Sequence, residues 1–400
     1  MSLLTKEASL SSIFSYKPIR TIEAQLLEDR KLYEREAGLS CRKMVDQTCY
    51  VGIEIEIEKV PIHKHIAGWE PVPDGSLRND GIEYVSVPVR GQNIHYLLHK
   101  LLTESKKEGA EFTERTSNHI HLNVRRMTVE QLVTLLITYV VVEQSMYRYI
   151  KHMGFDRHRN IFCVPLSESQ HYLGLPYLIY LLKQNDISGV VDVCAHMWKK
   201  YSGLNLLPIM TQGTIEFRQL PGTFEIDFIL DWINIIQSLR LFALSHTLEE
   251  VKGMIFDLNT NSNYQIFLQE VFGRYARQMN PPLGEGFQEL EEGITNVKQA
   301  FMLKENFGIT SETFEKSSVK EYLDKVYGSL SFNNDDVYNT EIKKYKIAMD
   351  MYAKVNSLDA KRMIASYQQH IEVMEKSKVE NRKPPKASKA MLSLYSGRGR

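Results

Sequence analysis

The chain has 400 residues, of which 43% are hydrophobic, and its 49 basic residues balance its 49 acidic ones. This length and composition allow one large core or two modest ones. Balanced charge gives no global field that would favour nucleic acid or a membrane as a partner. We therefore expect no membrane contact, and nucleic-acid contact at most through the basic C-terminal tail.

The cysteines, the N-terminus and the longest apolar run predict a cytoplasmic protein. The four cysteines form no CxxC pair, and their sparseness is typical of a reduced, intracellular protein. The first residues lack a basic segment followed by an apolar block, so we expect no secretory signal. The run from Leu132 to Val142 is too short to span a bilayer and predicts a buried helix.

The stretch from Gly52 to Glu58 alternates strictly between isoleucine and glutamate after its glycine, which predicts a strand. Glu54, Glu56 and Glu58 then share one face. Like charges at this spacing repel one another, and a divalent cation, which prefers oxygen ligands, would relieve that repulsion. An edge strand with a solvated acidic face is the alternative, and this stretch alone leaves both open.

Polar residues recur on later predicted strands. Asp74 lies in a turn, Pro73-Asp74-Gly75-Ser76, and Glu83 follows on an otherwise apolar strand face, where a surface position is the alternative. In residues 117–124, His119 and His121 share a face with Asn123, and histidine is a poor filler of exposed strands.

A hairpin is predicted from residues 201–209 and 213–220, with its turn at Gln212-Gly213. Glu216 and Arg218 share a face of its second strand, where a structural ion pair is the alternative to a functional role. The loop 157–160 is basic. Arginine suits phosphate through its planar fork, although a solvated basic turn would look the same.

Helices and domains follow from apolar periodicity and composition. We predict an amphipathic helix over 93–107, a buried helix from Thr128 with a capping box, and a helix over 226–245, with a loop over 168–201. We predict four regions: a helical lead-in (1–47), a domain that contains the predicted strands (48–250), a helical C-terminal region (251–375) and a basic flexible tail (376–400).

The polar strand faces and the adjoining turn supply Glu54, Glu56, Asp74, Glu83, His121, Glu216 and Arg218. One antiparallel sheet could bring them together. Several carboxylates with one histidine favour Mg²⁺ or Mn²⁺, whereas Zn²⁺ would favour more histidine or cysteine. Arginine beside bound cations is typical of phosphoryl transfer. The residues thus predict a metal- and phosphate-dependent enzyme.

The chain also resembles the amidoligase family, which belongs to the carboxylate–amine ligase superfamily with glutamine synthetase and glutamate–cysteine ligase. The resemblance covers about residues 48–245 and excludes the lead-in and the C-terminal region. Six motifs in the family's order carry it: GIEIEIE, DGSL…GIEYVSVP, SNHIHLNV, RNIFC, SGLNL and GTIEFRQLPGT.

The resemblance implies an α+β fold in which a curved antiparallel sheet is covered by helices on one side. It implies ATP and Mg²⁺ (or Mn²⁺) as cofactors, with carboxylate and amine substrates of small-molecule or peptide type. ATP would phosphorylate the carboxylate, and the amine would then displace phosphate from the acyl phosphate to form an amide.

The resemblance also assigns roles to residues at matching positions. The implied metal ligands are Glu54, Glu56, Asp74, Glu83, His121 and Glu216. Arg218 and Glu216 are the implied catalytic pair, and Arg159, Asn205 and Arg218 would contact phosphate or substrate. Glu58 shares the acidic face but lies outside the matching pair, so we exclude it from the ligands.

Two other functions stay open at this point. The helical C-terminal region and basic tail suit a catalytically silent scaffolding protein on the same fold, such as a phage structural component, which would place the chain in a virion. A metal-dependent hydrolase could use the same ligands. In the ligase interpretation we expect the cytoplasm of a bacterial or virus-infected cell, and an oligomer or larger assembly is compatible with any of these functions.

Overall fold

In the computed structural model, six strands form one antiparallel sheet, and helices cover one of its faces. The structure describes residues 5–38, 45–60, 66–155, 162–166, 174–196, 202–279 and 293–298, with single positions at 43, 157, 160, 300, 301, 368, 371, 372 and 375. One compact unit comprises residues 1–158 and 162–306 and contains every element named below. The second unit, 159–161 and 307–400, has only five described positions.

The strands are β1 (Val51–Ile57), β2 (Trp69–Val72), β3 (Ile82–Ser86), β4 (Asn118–Asn123), β5 (Leu204–Asn205) and β6 (Thr214–Phe217). Their spatial order is β2-β3-β1-β4-β6-β5, and every neighbouring pair is antiparallel. The predicted α+β class with an antiparallel sheet is confirmed. β1 lies between β3 and β4, which places its acidic residues near the middle of the sheet.

The helices are α1 (Leu10–Ile13), α2 (Glu23–Ala37), α3 (Gln92–Lys107), α4 (Val129–His152), α5 (Gly174–Lys183), α6 (Ile187–His196), α7 (Ile226–Ser245), α8 (Leu248–Phe256), α9 (Asn261–Phe272) and α10 (Ala276–Met279). The predicted helices over 93–107 and 226–245 and the capping box at Thr128 are confirmed. The predicted loop over 168–201 is wrong, because α5 and α6 lie within it and bury the apolar side chains Leu175, Leu178 and Val193.

The apolar face of the sheet forms the core together with α3, α4 and α7. Ile53, Ile55 and Ile57 of β1 are fully buried. Tyr139 of α4 packs edge-on against Phe217 of β6. Burying one such side chain stabilises the fold by about 1.5–3 kcal/mol. Packing on this face therefore holds the strands in place, and with them the side chains on the opposite face.

The buried-helix prediction for Leu132–Val142 is confirmed, since this run lies in the interior of α4. In the described part of the chain, α7 alone is long and apolar enough to cross a membrane by length and composition, and 67% of that stretch is buried inside the protein. A central core helix has these properties.

Two strand predictions need correction. The predicted hairpin is short: β5 has two residues, and a 3₁₀ turn at Leu207–Ile209, with Pro208 inside it, replaces the rest of its first strand. Residues 69–88 are predicted as turn and strand, and the structure divides them into β3 and a separate edge strand, β2, which contains Pro71. Proline has no backbone N–H to donate, and it is tolerated there because one side of an edge strand has no neighbouring strand to accept a hydrogen bond.

Candidate functional site

The register of the sheet brings polar residues from five strands to the face opposite the core. Since opposed residues in antiparallel strands place their side chains on the same side, each polar pair projects together. The cross-strand partners are Glu56 with Glu83, Glu54 with His119, His121 with Glu216, and Glu216 with Asn205.

Glu54 lies between two imidazoles. Its Oε2 is 3.2 Å from His119 Nδ1, and its Oε1 is 3.0 Å from His121 Nε2. Burial alone would raise the pKa of Glu54, but His121 and His119 outweigh it and hold that pKa well below the ordinary value. Burial would lower the pKa of His121, yet Glu54 and Glu216 raise it. Glu54 is therefore an anion at neutral pH.

Glu216 is buried between an amide and a guanidinium. Asn205 Nδ2 donates to Glu216 Oε2 at 2.7 Å, and Arg218 Nη1 donates to Glu216 Oε1. Burial would raise the pKa of Glu216, but Arg218, His119 and His121 together outweigh burial and lower that pKa. Arg218 Nε donates to the Phe162 carbonyl at 3.2 Å, which fixes the plane of the guanidinium.

Glu56 and Glu83 form the opposite end of the cluster with Asp74. Burial raises the pKa of Glu56. Burial together with the charges of Glu54, Glu56 and Asp74 raises the pKa of Glu83 to about 9. Without a cation these carboxylates cannot all ionise, because like charges in a poorly solvated site repel one another.

Three overlapping groups of side chains could each hold a metal ion, with ligand atoms that all lie within 4.8 Å of one another. The groups are Glu54–His121–Glu216, Glu54–Glu83–His119 and Glu56–Asp74–Glu83. All six predicted metal ligands occur in them. The crowding of carboxylates and the elevated pKa of Glu83 both fit a divalent cation, and the oxygen-rich composition fits Mg²⁺ or Mn²⁺.

His119 is not among the predicted metal ligands, but the structure places it in one of these groups. This imidazole is 2% exposed and lies within 3.3 Å of Glu216 Oε1 as well as beside Glu54. Its Nε2 has no hydrogen-bond partner in the described part of the chain, with Glu56 Oε1 3.9 Å away. The signal that could have included it is the alternation that puts His119 and His121 on one face.

The predicted phosphate contacts have different outcomes. Arg159 lies outside the described residues. The Asn205 side chain is engaged with Glu216 and also accepts from the Leu207 amide, so in this arrangement it orients a carboxylate. Arg157 is buried and donates to Ser117 Oγ at 3.0 Å. The alternative that loop 157–160 is a solvated basic turn is therefore wrong for Arg157.

Two buried tyrosines and a glutamate of α4 support the segment that holds Arg218. Tyr147 donates to the Cys163 carbonyl, and Glu143 accepts from the Leu166 amide at 2.7 Å and from Tyr139 at 2.8 Å. Hydrogen bonds with α4 at Cys163 and Leu166 thus fix the residues that directly follow Phe162, whose carbonyl accepts from Arg218.

Comparison with known proteins assigns a family. No curated protein matches the chain, but residues 23–240 match the family model described as "Putative amidoligase enzyme". The match begins before residue 48, so excluding the lead-in from the resemblance was wrong: α2 packs on α3, and Glu23 pairs with Arg90. Because more than half of the chain is matched, and its polar motifs meet on one sheet face, the chain belongs to this family of amidoligase enzymes.

Proposed function

We propose that the protein is an ATP- and Mg²⁺-dependent carboxylate–amine ligase that forms an amide through an acyl phosphate. One observation carries the proposal. Five carboxylates, two imidazoles and the Arg218 guanidinium converge on one sheet face in a member of an amidoligase family. Divalent cations on this face would neutralise its excess of acidic groups and could bridge them to the phosphates of a nucleoside triphosphate.

The reaction would use two displacements. A substrate carboxylate oxygen attacks the γ-phosphorus of ATP, and the bond to ADP breaks. The amine nitrogen of the second substrate then attacks the acyl carbon, the carbon–oxygen bond to phosphate breaks, and the amine loses a proton. The products are an amide, ADP and phosphate.

Divalent cations held by Glu54, Glu56, Asp74, Glu83, His121 and Glu216, with His119 beside them, would supply charge neutralisation for the phosphates. Arg218 would stabilise the charge on the transferring phosphoryl group. Its guanidinium is already oriented by Glu216 and by the Phe162 carbonyl, so little reorganisation is required during the reaction.

The test is ADP release by the full chain with ATP, Mg²⁺ and panels of amino acids and peptides as carboxylate and amine donors. We expect ADP and an amide product only when both substrates are present. Glu54→Ala or Glu216→Ala should abolish the reaction, whereas Glu249→Gln, which changes an exposed carboxylate on α8, should leave it unchanged.

Other outcomes of the same assay separate the alternatives. Phosphate release from ATP, or cleavage of an amide, without an amine substrate would favour a metal-dependent hydrolase. A wild-type chain that fails to bind ATP–Mg²⁺ by calorimetry would favour a scaffolding protein. Full activity in Glu54→Ala would contradict the assignment of the cations to this face.

A further inference from the structure

Glu58 follows the last residue of β1, and its environment differs from that of Glu54 and Glu56. Its side chain is buried, with the residue 1% exposed, yet it belongs to none of the groups that could hold a metal ion in the described part of the chain. Its backbone is fixed to the sheet, because Glu58 and Glu111 exchange two hydrogen bonds as an isolated antiparallel bridge.

The Glu58 carboxylate is directed at the turn formed by residues 74–80. Oε1 accepts a hydrogen bond from the Arg78 amide at 2.8 Å, and Oε2 accepts one from Asn79 Nδ2 at 3.3 Å. The amide of Lys59 donates to the Asn79 carbonyl at 2.9 Å. The end of β1 therefore holds this turn by three hydrogen bonds, two of which the Glu58 carboxylate accepts.

Two successive residues of the turn have left-handed backbone conformations. Asn79 and Asp80 have φ values of 52° and 55°, a sparsely populated region that asparagine and aspartate tolerate better than most residues with a side chain. Both are exposed, so core packing does not hold them in place. Space is also limited: a Cβ added to Gly81 would lie 3.2 Å from Glu58 Cγ and 2.6 Å from Leu77 Cβ.

The same turn carries Asp74 to the site. Asp74 Oδ1 accepts from the Ser76 amide at 2.7 Å, and the Asp74 carbonyl accepts from the Leu77 amide at 3.3 Å, so Asp74 moves with the turn. A ligand oxygen of Asp74 lies within 4.8 Å of one from Glu56 and one from Glu83. On the other side, Arg115 Nη1 donates to the Ser76 carbonyl at 3.0 Å.

We propose that Glu58 is a positioning residue whose buried carboxylate fixes the turn 74–80, so that Asp74 completes the Glu56–Asp74–Glu83 group and raises its affinity for a divalent cation. The inference rests on the proposed function in one respect only, namely that this group holds a cation. It does not require that the protein form amides.

The test is titration of the metal-free full chain with Mn²⁺, followed by electron paramagnetic resonance without nucleotide or substrate. Glu58→Gln keeps the size of the side chain but removes its charge and one of its two acceptor oxygens. The hydrogen bond to the Arg78 amide then loses its charged acceptor, and the contact with Asn79 forms only if Asn79 rotates its own amide. We expect this variant to weaken Mn²⁺ binding about tenfold, which is the usual effect of losing a group that orients a ligand.

A reciprocal pair of variants separates geometry from charge. Asn79→Asp alone places two carboxylates together and should also weaken Mn²⁺ binding. Combined with Glu58→Gln, it restores a hydrogen bond with donor and acceptor exchanged, at the net charge of the wild type. We expect the double variant to recover most of the wild-type affinity, which a role in overall stability or charge would not produce.

A thermodynamic cycle with Asp74 tests the route of the effect. Asp74→Asn should weaken Mn²⁺ binding, and adding Glu58→Gln to it should then change affinity less than twofold, because the residue that Glu58 positions has already lost its charge. Each variant is first shown to be folded at the titration temperature by circular dichroism, with Glu249→Gln as the matched surface control.

Three results would overturn the inference: Mn²⁺ affinity of folded Glu58→Gln within twofold of the wild type, full additivity with Asp74→Asn, or no Mn²⁺ binding by the wild type. None of these measures catalysis. A chain that loses Mn²⁺ affinity as described but releases no ADP with any substrate pair would retain the role of Glu58 while contradicting the proposed function.

Discussion

The two faces of the central sheet differ in chemistry although the same strands form both. On one face, Ile53 and Ile55 of β1 are fully buried against the helical layer. On the other, Glu54 and Glu56 are crowded among further carboxylates, and burial raises the pKa of Glu56. Adjacent residues of β1 thus have opposite effects: the isoleucines stabilise the fold, and the repulsion between carboxylates destabilises it.

The apolar face contributes the stability of this ligase-type enzyme, and the polar face contains the groups suited to its chemistry. Apolar burial on one face can hold strands in register even where the register sets Glu56 opposite Glu83. Such a pairing is unfavourable without a cation, because like charges directly opposite destabilise a sheet. Substitutions on the apolar face should therefore change the free energy of unfolding, whereas substitutions on the polar face should change cation binding and activity.

The largest effect is expected at Arg218. Arg218→Met removes the guanidinium that neutralises Glu216 and faces the proposed phosphoryl group, and arginines in that role contribute about 10³–10⁵-fold to rate. We expect ADP release to fall by at least ~10³-fold in a steady-state assay. Arg90→Met, at a surface ion pair with Glu23, is the matched control. Equal activity of the two variants would contradict the role of Arg218.

On the core face, Ile55→Ala should lower the free energy of unfolding by about 3 kcal/mol, since it opens a cavity among packed side chains. Urea denaturation followed by circular dichroism measures this directly. Cation affinity of the folded fraction should stay near that of the wild type. A change below ~1 kcal/mol would show that the apolar face does not hold the sheet in the way described.

The pH dependence of stability should reveal Glu83. Its pKa is raised from 4.5 to about 9 in the cation-free protein, so between these values the folded state holds a proton that the unfolded state has released. This group's contribution to the free energy of unfolding is therefore present at low pH and is lost as pH rises through this window. Glu83→Gln should reduce the fall in the free energy of unfolding across this pH window. In the wild type, saturating Mg²⁺ should reduce the same fall. Profiles identical for wild type and variant would contradict the prediction.

The smallest effect is expected from Glu56→Gln without metal. Removing one of several crowded carboxylates should leave the free energy of unfolding within ~1 kcal/mol of the wild type, or raise it. The same variant should weaken Mn²⁺ binding strongly. If it destabilised the fold as much as Ile55→Ala does, Glu56 would be a structural residue.

The sequence predicted the faces of the strands but not their register. Alternation along β1 and β4 separated glutamates and histidines from isoleucines and leucines, because side chains in a strand point to opposite sides. Which residues stand opposite one another depends on contacts distant in sequence, so the pairing of Glu56 with Glu83 required the structure. The ordered motifs identified the family, while substrates, ATP dependence and location stay predictions.

Other features were hidden because their cause lies outside the local pattern. Alternation places Glu58 with Glu56, but β1 ends at Ile57 and Lys59 takes a positive φ, so Glu58 instead supports the turn 74–80. The helices α5 and α6 were predicted as loop, although Leu178 and Val193 are buried within them. Buried contacts of this kind come from tertiary packing, which a single sequence does not display.

The central claim is that the polar sheet face holds divalent cations for phosphoryl transfer. Anomalous diffraction from crystals of the full chain grown with Mn²⁺ and ADP tests it most directly. We expect peaks about 2.0–2.6 Å from carboxylate oxygens of Glu54, Glu56, Glu83 and Glu216, with the ADP phosphates beside them. Bound ADP with no anomalous peak at these carboxylates, or with peaks only at surface acidic residues, would contradict it.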